Sequence, residues 1–248
     1  MTKLAPPMSQ IDAQAQLPSI RLFLPGPLGD QATVTTTAAQ AHYLAHVMRR
    51  GVGDRLRVFN GSDGEFVATI SDLRRDHAAL AIGEQSRPQP REPDLWLIFA
   101  LLKRGPTELI VQKATELGAS ALLPAFTTRT NADRTNLDRL TAIATEAAEQ
   151  CGRLTVPTLR PPRALSAILA DWPAGRRLIA CFERAADLPM PRSNNEPSAL
   201  LIGPEGGFTD TELDALQARP FVLPVTLGPR LLRAETAAIV GLALLQLA

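Results

Sequence analysis

Apolar residues recur along this chain at two different spacings, and the change between them falls near residue 90. From Arg21 to about Ile82 they come in short runs: RLFL, ATVTT, RLRVF, EFVATI and AALAIG. Turn signals separate the runs, namely Pro25-Gly26, Gly51 to Asp54, and Asn60 to Gly64. Short runs rich in β-branched and aromatic residues between Gly, Pro, Asn and Asp predict β-strands. One segment, AAQAHYLAHVMRR, has helical spacing instead and stops at Gly51, a natural C-terminal stop. A small barrel with one helix is therefore predicted for residues 20–84. The stretch QSRPQPREP, residues 85–93, carries three prolines and alternating charges and is predicted to be a linker.

After residue 94 compact apolar runs alternate with helical patterns. LWLIFALL, ALLPAF, RRLIACF, ALLIG and PVTLG are each too short for an ordinary helix. Between them lie TELIVQKATELG, ending at Gly118, NLDRLTAIATEAAEQCG, ending at Gly152, and RALSAILADW. Thr209 and Glu212 have the spacing of a capping box ahead of another helix. Strands alternating with helices predict an α/β domain over residues 94–248, with a parallel sheet covered on both faces. The last segment, AETAAIVGLALLQLA, is apolar almost all round, so it is buried in the core or against a second copy of the chain. Residues 1–19 lack such patterning and read as a loose, disordered tail.

Composition narrows the class without naming it. With 248 residues, 45% hydrophobic and 21% charged, the chain is long enough for two folded units with substantial cores. The formal net charge of +1 gives no global excess to advertise nucleic acid, so any RNA contact must come from local patches. Cys151 and Cys181 lie thirty residues apart without a CxxC, which suits a reducing cytoplasm and disfavours a disulfide or zinc framework. Three histidines, none of them in an HExxH motif, make a metal site an expected absence. No stretch has the length of a membrane span or the pattern of a signal peptide, so no membrane partner is expected.

The chemistry concentrates in two loops. LLIGPEGGFTDTEL, residues 200–213, ends an apolar strand in Gly203, Pro204, Gly206 and Gly207 before a helix starts. VTLGPRLLRAET, residues 225–236, repeats the strand, Gly-Pro and helix order. In parallel sheets ligands bind beyond the carboxyl ends of strands. Neither loop is a GxGxxG or a P-loop, which argues against a phosphate nest. Two such turns can instead form the walls of one cavity made largely of main chain, suited to a flat adenine ring.

GPEGG followed by LGPRLLRAETAA resembles the paired C-terminal signature of SPOUT methyltransferases. More narrowly, the chain resembles the RsmE family of 16S ribosomal RNA uracil-N3 methyltransferases. HYLAHVMRRGVGDRLRVFNG, LLKRGPTELIVQKATELG and EAAEQCGR extend the similarity from about Arg21 onward. The resemblance implies a C-terminal SPOUT domain with a deep trefoil knot, S-adenosyl-L-methionine as cofactor, and a homodimer formed through the knotted domain. It also implies a PUA-like first domain that helps bind 16S ribosomal RNA, within the small ribosomal subunit. The matching loops carry over Ile202, Gly203, Gly206, Leu227, Gly228 and Leu232 as cofactor-binding residues. Glu205, inside the first loop, is placed with them or as an anchor of that loop, and Pro124, ending ALLP, borders the same pocket.

Methylation at uracil N3 needs the N3 proton removed or the resulting anion stabilised across the flanking carbonyls. A guanidinium offers paired donors and a carboxylate can accept the proton, which makes Arg233 and Glu235 the catalytic candidates. They could instead pair with each other, or Glu235 could cap the last helix. RNA contacts are expected at Arg21, Arg49 and Arg50 in the first domain and at Lys103 and Arg153 in the second. His42, His46, Arg55 and Arg57 add to the first group unless they form an ordinary solvated face. Three functions stay open on this reading: uracil-N3 methylation, methylation of another RNA atom by a related enzyme, and a non-catalytic RNA-binding assembly factor.

Overall fold

A computed structural model describes residues 17–29, 32–182, 190–191 and 196–246. The expected tail falls outside these residues as far as position 16. Contacts divide the chain between Pro90 and Arg91.

In the first unit five strands form one sheet in the order β1-β3-β4-β5-β2. They are β1 (Arg21–Phe23), β2 (Thr33–Thr35), β3 (Arg55–Phe59), β4 (Glu65–Leu73) and β5 (Ala78–Arg87). β1 runs parallel to β3, and the remaining pairs are antiparallel. Helix α1 (Ala38–His42) starts at a capping box in which Thr37 and Gln40 satisfy each other's backbone amides. The expected helix to Gly51 is shorter and irregular. After His42 the chain loosens into a π-helical turn, Tyr43–Val47, and Arg49 takes a φ of +52°, so Arg49 and Arg50 stand in the turn beyond it. Leu22, Leu44, Leu56, Val58, Ile70 and Leu80 fill the core. Because β5 continues to Arg87, the first part of the expected linker is strand.

A buried carboxylate organises one edge of that core. Glu65 is fully buried and accepts from Arg21 Nε at 2.6 Å, Arg87 Nε and Nη2 at 3.0 Å, and Ser86 Oγ at 3.1 Å. Arg57 approaches at 3.4 Å. Burial alone would push the Glu65 carboxyl up, but the hydrogen bonds from Arg87 and Arg21 outweigh it and hold it below its ordinary 4.5.

The second unit is a wholly parallel sheet in the order β12-β10-β11-β6-β7-β8, with β9 also paired to β7. Its strands are β6 (Leu95–Ala100), β7 (Ala121–Phe126), β8 (Thr158–Leu159), β9 (Arg163–Ala164), β10 (Arg177–Cys181), β11 (Ser198–Ile202) and β12 (Val222–Val225). The helices are α2 (Arg104–Glu116), α3 (Leu137–Cys151), α4 (Leu165–Ala170), α5 (Asp210–Gln217) and α6 (Ala234–Gln246). Side chains alternate across the sheet as the two-residue period requires. Leu97, Phe99 and Leu200 join α2, α3 and α6 on one face, while Ile98, Ala199 and Leu201 join α4 and α5 on the other.

Two boundaries differ from expectation. Arg163 and Ala164 pair with Ala125 and Phe126 as β9, so the helix of RALSAILADW begins at Leu165. The last strand is VLPV rather than PVTLG, and Pro224 is tolerated within it because β12 is an edge strand with a single neighbour.

Candidate active site

β10 leaves its slot between β11 and β12, so the loops that follow those two strands flank its carboxyl end. Together they enclose a cavity of about 420 Å³, a size suited to a small cofactor. The first loop contributes Ile202 through Phe208, and the second contributes Thr226 through Leu232. Cys181 and Phe182, at the end of β10, form the floor between them. Burial pushes the Cys181 thiol up to about 12, so it borders the cavity as a neutral group rather than a nucleophile.

The first loop is held from outside. Arg129, in the loop after β7, donates to the Gly206 carbonyl at 2.6 Å and approaches the Phe208 carbonyl at 3.4 Å. Thr209 starts α5 with its hydroxyl on the Glu212 amide at 3.3 Å, and Glu212 returns a carboxylate oxygen to the Thr209 amide at 2.9 Å. The other Glu212 oxygen accepts from the Thr128 amide at 2.8 Å. Burial works against ionisation of Glu212, yet the amides of Thr209 and Thr128 prevail and lower its pKa. One carboxylate thus ties the loop after β7 to the loop after β11.

Of the expected cofactor residues, Ile202, Gly203, Glu205, Gly206, Leu227, Gly228 and Leu232 all line this cavity. Glu205 is exposed and its side chain makes no hydrogen bond among the described residues. The anchoring considered for Glu205 falls to Arg129 and Glu212 instead. Pro124 does not reach the wall. It is buried in β7 opposite Phe99, mid-ladder, and the chain approaches the cavity only five residues later, at Arg129.

The catalytic candidates stand beside the cavity rather than in its wall. Arg230, Ala234 and Ala237 line it, while Arg233 and Glu235 do not. Arg233 is exposed. Glu235 is partly buried in the first turn of α6, and its Oε2 is buried without a hydrogen-bond partner among the described residues. Arg233 and Glu235 form no ion pair with each other.

The expected RNA contacts divide. Arg49 and Arg50 are exposed in the turn after the π-helical segment; within that stretch the His42 and His46 rings lie tilted to each other with centroids 4.6 Å apart. Lys103 is exposed at the N-terminus of α2. Arg21 and Arg153 are corrections. The Arg21 side chain is only 4% exposed, bound to Glu65 and stacked 4.4 Å from the Phe59 ring. The Arg153 side chain is 6% exposed, with Glu92 at 2.6 Å and the Thr115 carbonyl at 2.9 Å. Both guanidinium groups are committed to the fold, and a phosphate could reach neither without breaking it. Arg129 is the functional candidate that sequence patterning passes over, because it lies 77 positions from the loop it holds. Arg230 stands beside Arg233 at the mouth of the last helix in the sequence, and the cavity wall takes Arg230.

Among the described residues no group of three His, Cys, Asp or Glu is arranged to hold a metal, and no helix is long and apolar enough to cross a membrane.

Comparison with known proteins agrees with this geometry. A family model described as an RNA methyltransferase domain matches residues 89–246, and one described as an RNA methyltransferase PUA domain matches residues 36–82. Ribosomal RNA small subunit methyltransferase E of Rickettsia conorii is 31% identical over 92% of this chain and 95% of its own. The protein of the same name from Synechocystis is 37% identical over 86% of this chain and 72% of its own. Among solved structures, ribosomal RNA small subunit methyltransferase E of Neisseria gonorrhoeae, bound to S-adenosyl methionine, superposes with a TM-score of 0.81 at 29% identity. That match covers 90% of this chain and 95% of the other. The matching domain models and these relatives place this chain in the RNA methyltransferase family, with the ribosomal RNA small subunit methyltransferases E.

Proposed function

We propose that the protein transfers a methyl group from S-adenosyl-L-methionine to N3 of a uridine in 16S ribosomal RNA. The observation that carries this reading is the single cavity shared by the loops after β11 and β12. Its chemistry fits the cofactor. Gly203, Pro204, Gly206, Gly207, Gly228 and Pro229 bring main chain to the wall, which can read an adenine edge, and Ile202, Leu227 and Leu232 supply apolar contact. Gly203, Gly206 and Gly228 add no side chains of their own to that wall. When bound, the cofactor supplies an electrophilic methyl group on a sulfonium.

The protein's own residues must do the rest. Uracil N3 holds a proton, so its lone pair becomes nucleophilic only as that proton leaves. Arg230, in the cavity wall, and Arg233, at the edge of α6, supply guanidinium donors for the carbonyl oxygens over which the negative charge spreads. Glu235, in the first turn of α6, is the proton acceptor. Arg49 and Arg50 hold phosphates of the substrate from the first unit.

Methyl transfer to purified small subunits, followed by mass spectrometry of the nucleosides, tests the reading. The expected product is 3-methyluridine. A 2′-O-methylated nucleoside would move the target to ribose, and absence of cofactor binding at millimolar concentration would remove the enzymatic reading altogether. The same proposal includes a cytoplasmic enzyme that works as a homodimer through α6, where Leu244 is 45% exposed on an otherwise apolar helix. Sedimentation at a single-chain mass across dilution would overturn the dimer. A deep trefoil knot in the second unit belongs to the proposal as well, and an experimental map tracing the chain from β10 through α6 decides it.

A further inference from the structure

A second cavity, of about 500 Å³, lies where β6 and β7 pass into the helices that follow them. Lys103, Arg104 and Glu108 come from the start of α2, Arg134 and Asn136 from the approach to α3, and Arg139 from its first turn. The charged lining is therefore four cations against one carboxylate. Arg104 Nε donates to Glu108 at 2.8 Å, and Arg139 binds both oxygens of the same carboxylate. Those hydrogen bonds, from Arg139 first and Arg104 second, bring the Glu108 carboxyl down to about 2, so it remains an anion that fixes two guanidinium groups side by side. Lys103 and Arg134 are different. Both are exposed, and neither side chain has a hydrogen-bond or ion-pair partner among the described residues. Lys103 is also the N-cap residue of α2, and its side chain makes no capping hydrogen bond.

Position supplies the second part of the inference. β6 neighbours β11 in the sheet, so this cavity and the cofactor cavity lie along the same carboxyl edge. The loop after β7 contributes to both, with Arg129 at the first and Arg134 and Asn136 at the second. From β10 to the middle of β6 and β7 is two to three strand spacings, about 12 Å at about 4.8 Å each. An uncharged ligand would gain little from unpaired cations, whereas a polyanion would gain at every one.

Resting on the RNA-methylation reading, we infer that the basic cavity at the starts of α2 and α3 is a subsite for the phosphodiester backbone of the substrate RNA, a short distance along the strand from the target uridine. Glu108 presets Arg104 and Arg139, and Lys103 and Arg134 supply free charge. The subsite holds backbone and reads no base, so it contributes affinity and register rather than choice of nucleotide.

Binding of a short fluorescent oligouridylate, measured across a salt series with the full chain, tests this without methyl transfer as the readout. Lys103→Ala/Arg134→Ala should weaken binding about tenfold or more and flatten the slope of log affinity against log salt by about 1.4, two contacts at about 0.7 each. Lys103→Gln/Arg134→Gln should do the same, and both should keep wild-type affinity for S-adenosylmethionine. Arg177→Ala removes a cation from the amino end of β10, the opposite edge of the sheet, and should leave the slope unchanged. Wild-type affinity and slope in the double variants would overturn the subsite, as would a wild-type protein that does not hold the oligouridylate at low salt. RNA binding with the expected slope but no methylation by the wild type would instead overturn the parent reading and leave the subsite standing.

Discussion

At Gly203 an added methyl would sit 2.9 Å from the ring of Phe208, whereas at Gly228 it would meet open space and the constraint is a φ of +104°. The two glycines are thus required for different reasons, one by packing and one by backbone torsion. Gly203→Ala should destabilise the protein by about 1–3 kcal/mol through overpacking. Gly203→Ala/Phe208→Leu should recover part of that loss in thermal unfolding, and strictly additive losses would show that the ring is not the obstacle. Arg230 and Arg233 can be separated in the same way. Each change to Ala should lower kcat about 100-fold if its guanidinium meets the developing anion. Only Arg230→Ala should also weaken cofactor binding by calorimetry, because only Arg230 lines the cavity. In the first unit, the depressed pKa of Glu65 contributes stability that is present above the ordinary 4.5 and is lost as pH falls through the lower folded value. Glu65→Gln should abolish that acid-dependent loss and, by leaving Arg21 buried without its counter-charge, cost about 3–5 kcal/mol at neutral pH. Urea unfolding between neutral pH and pH 3 measures both.

Among the secondary-structure elements, the loop after β7 has the largest consequence for function. Thr128 and Arg129 hold the loop after β11 through two carbonyls and the capping carboxylate of α5. Arg129→Ala removes a charged donor from an exposed position, so cofactor affinity should fall about tenfold, roughly 1.4 kcal/mol, while the melting temperature stays near wild type. A large drop in melting temperature with unchanged affinity would assign Arg129 to the fold instead. Most elements were legible from local pattern: β6, β7, β10 and β11 as apolar runs, and α5 from Thr209 and Glu212. The π-helical turn was not, because Tyr43 to Val47 keep an apolar helical spacing while the hydrogen bonding shifts by one residue. β9 was not, because two residues joined to a strand by its neighbour carry no period of their own.

For the whole molecule, the two units have separate cores, and the cofactor cavity lies within the second. Calorimetric unfolding should therefore resolve two transitions, of which S-adenosylmethionine raises one. At a hundred times its dissociation constant the gain should be about 2.7 kcal/mol. A shift of both transitions together would mean that the units unfold as one. The sequence by itself determined the α/β class, the change of texture near residue 90, and the two Gly-Pro turns, because backbone period and turn chemistry are local properties. It also brought out Arg49, Arg50 and Lys103 as expected RNA contacts, yet it could not separate them from Arg21 and Arg153, which carry the same charge. Only the tertiary structure decided that, since burial depends on partners far along the chain: Glu65 for Arg21, 44 positions away, and Glu92 for Arg153, 61 positions away. The strand order did the same for the site. By placing β10 between β11 and β12 it brought two distant turns around one cavity, with Arg129 and Arg230 at its wall and Pro124 left inside the sheet.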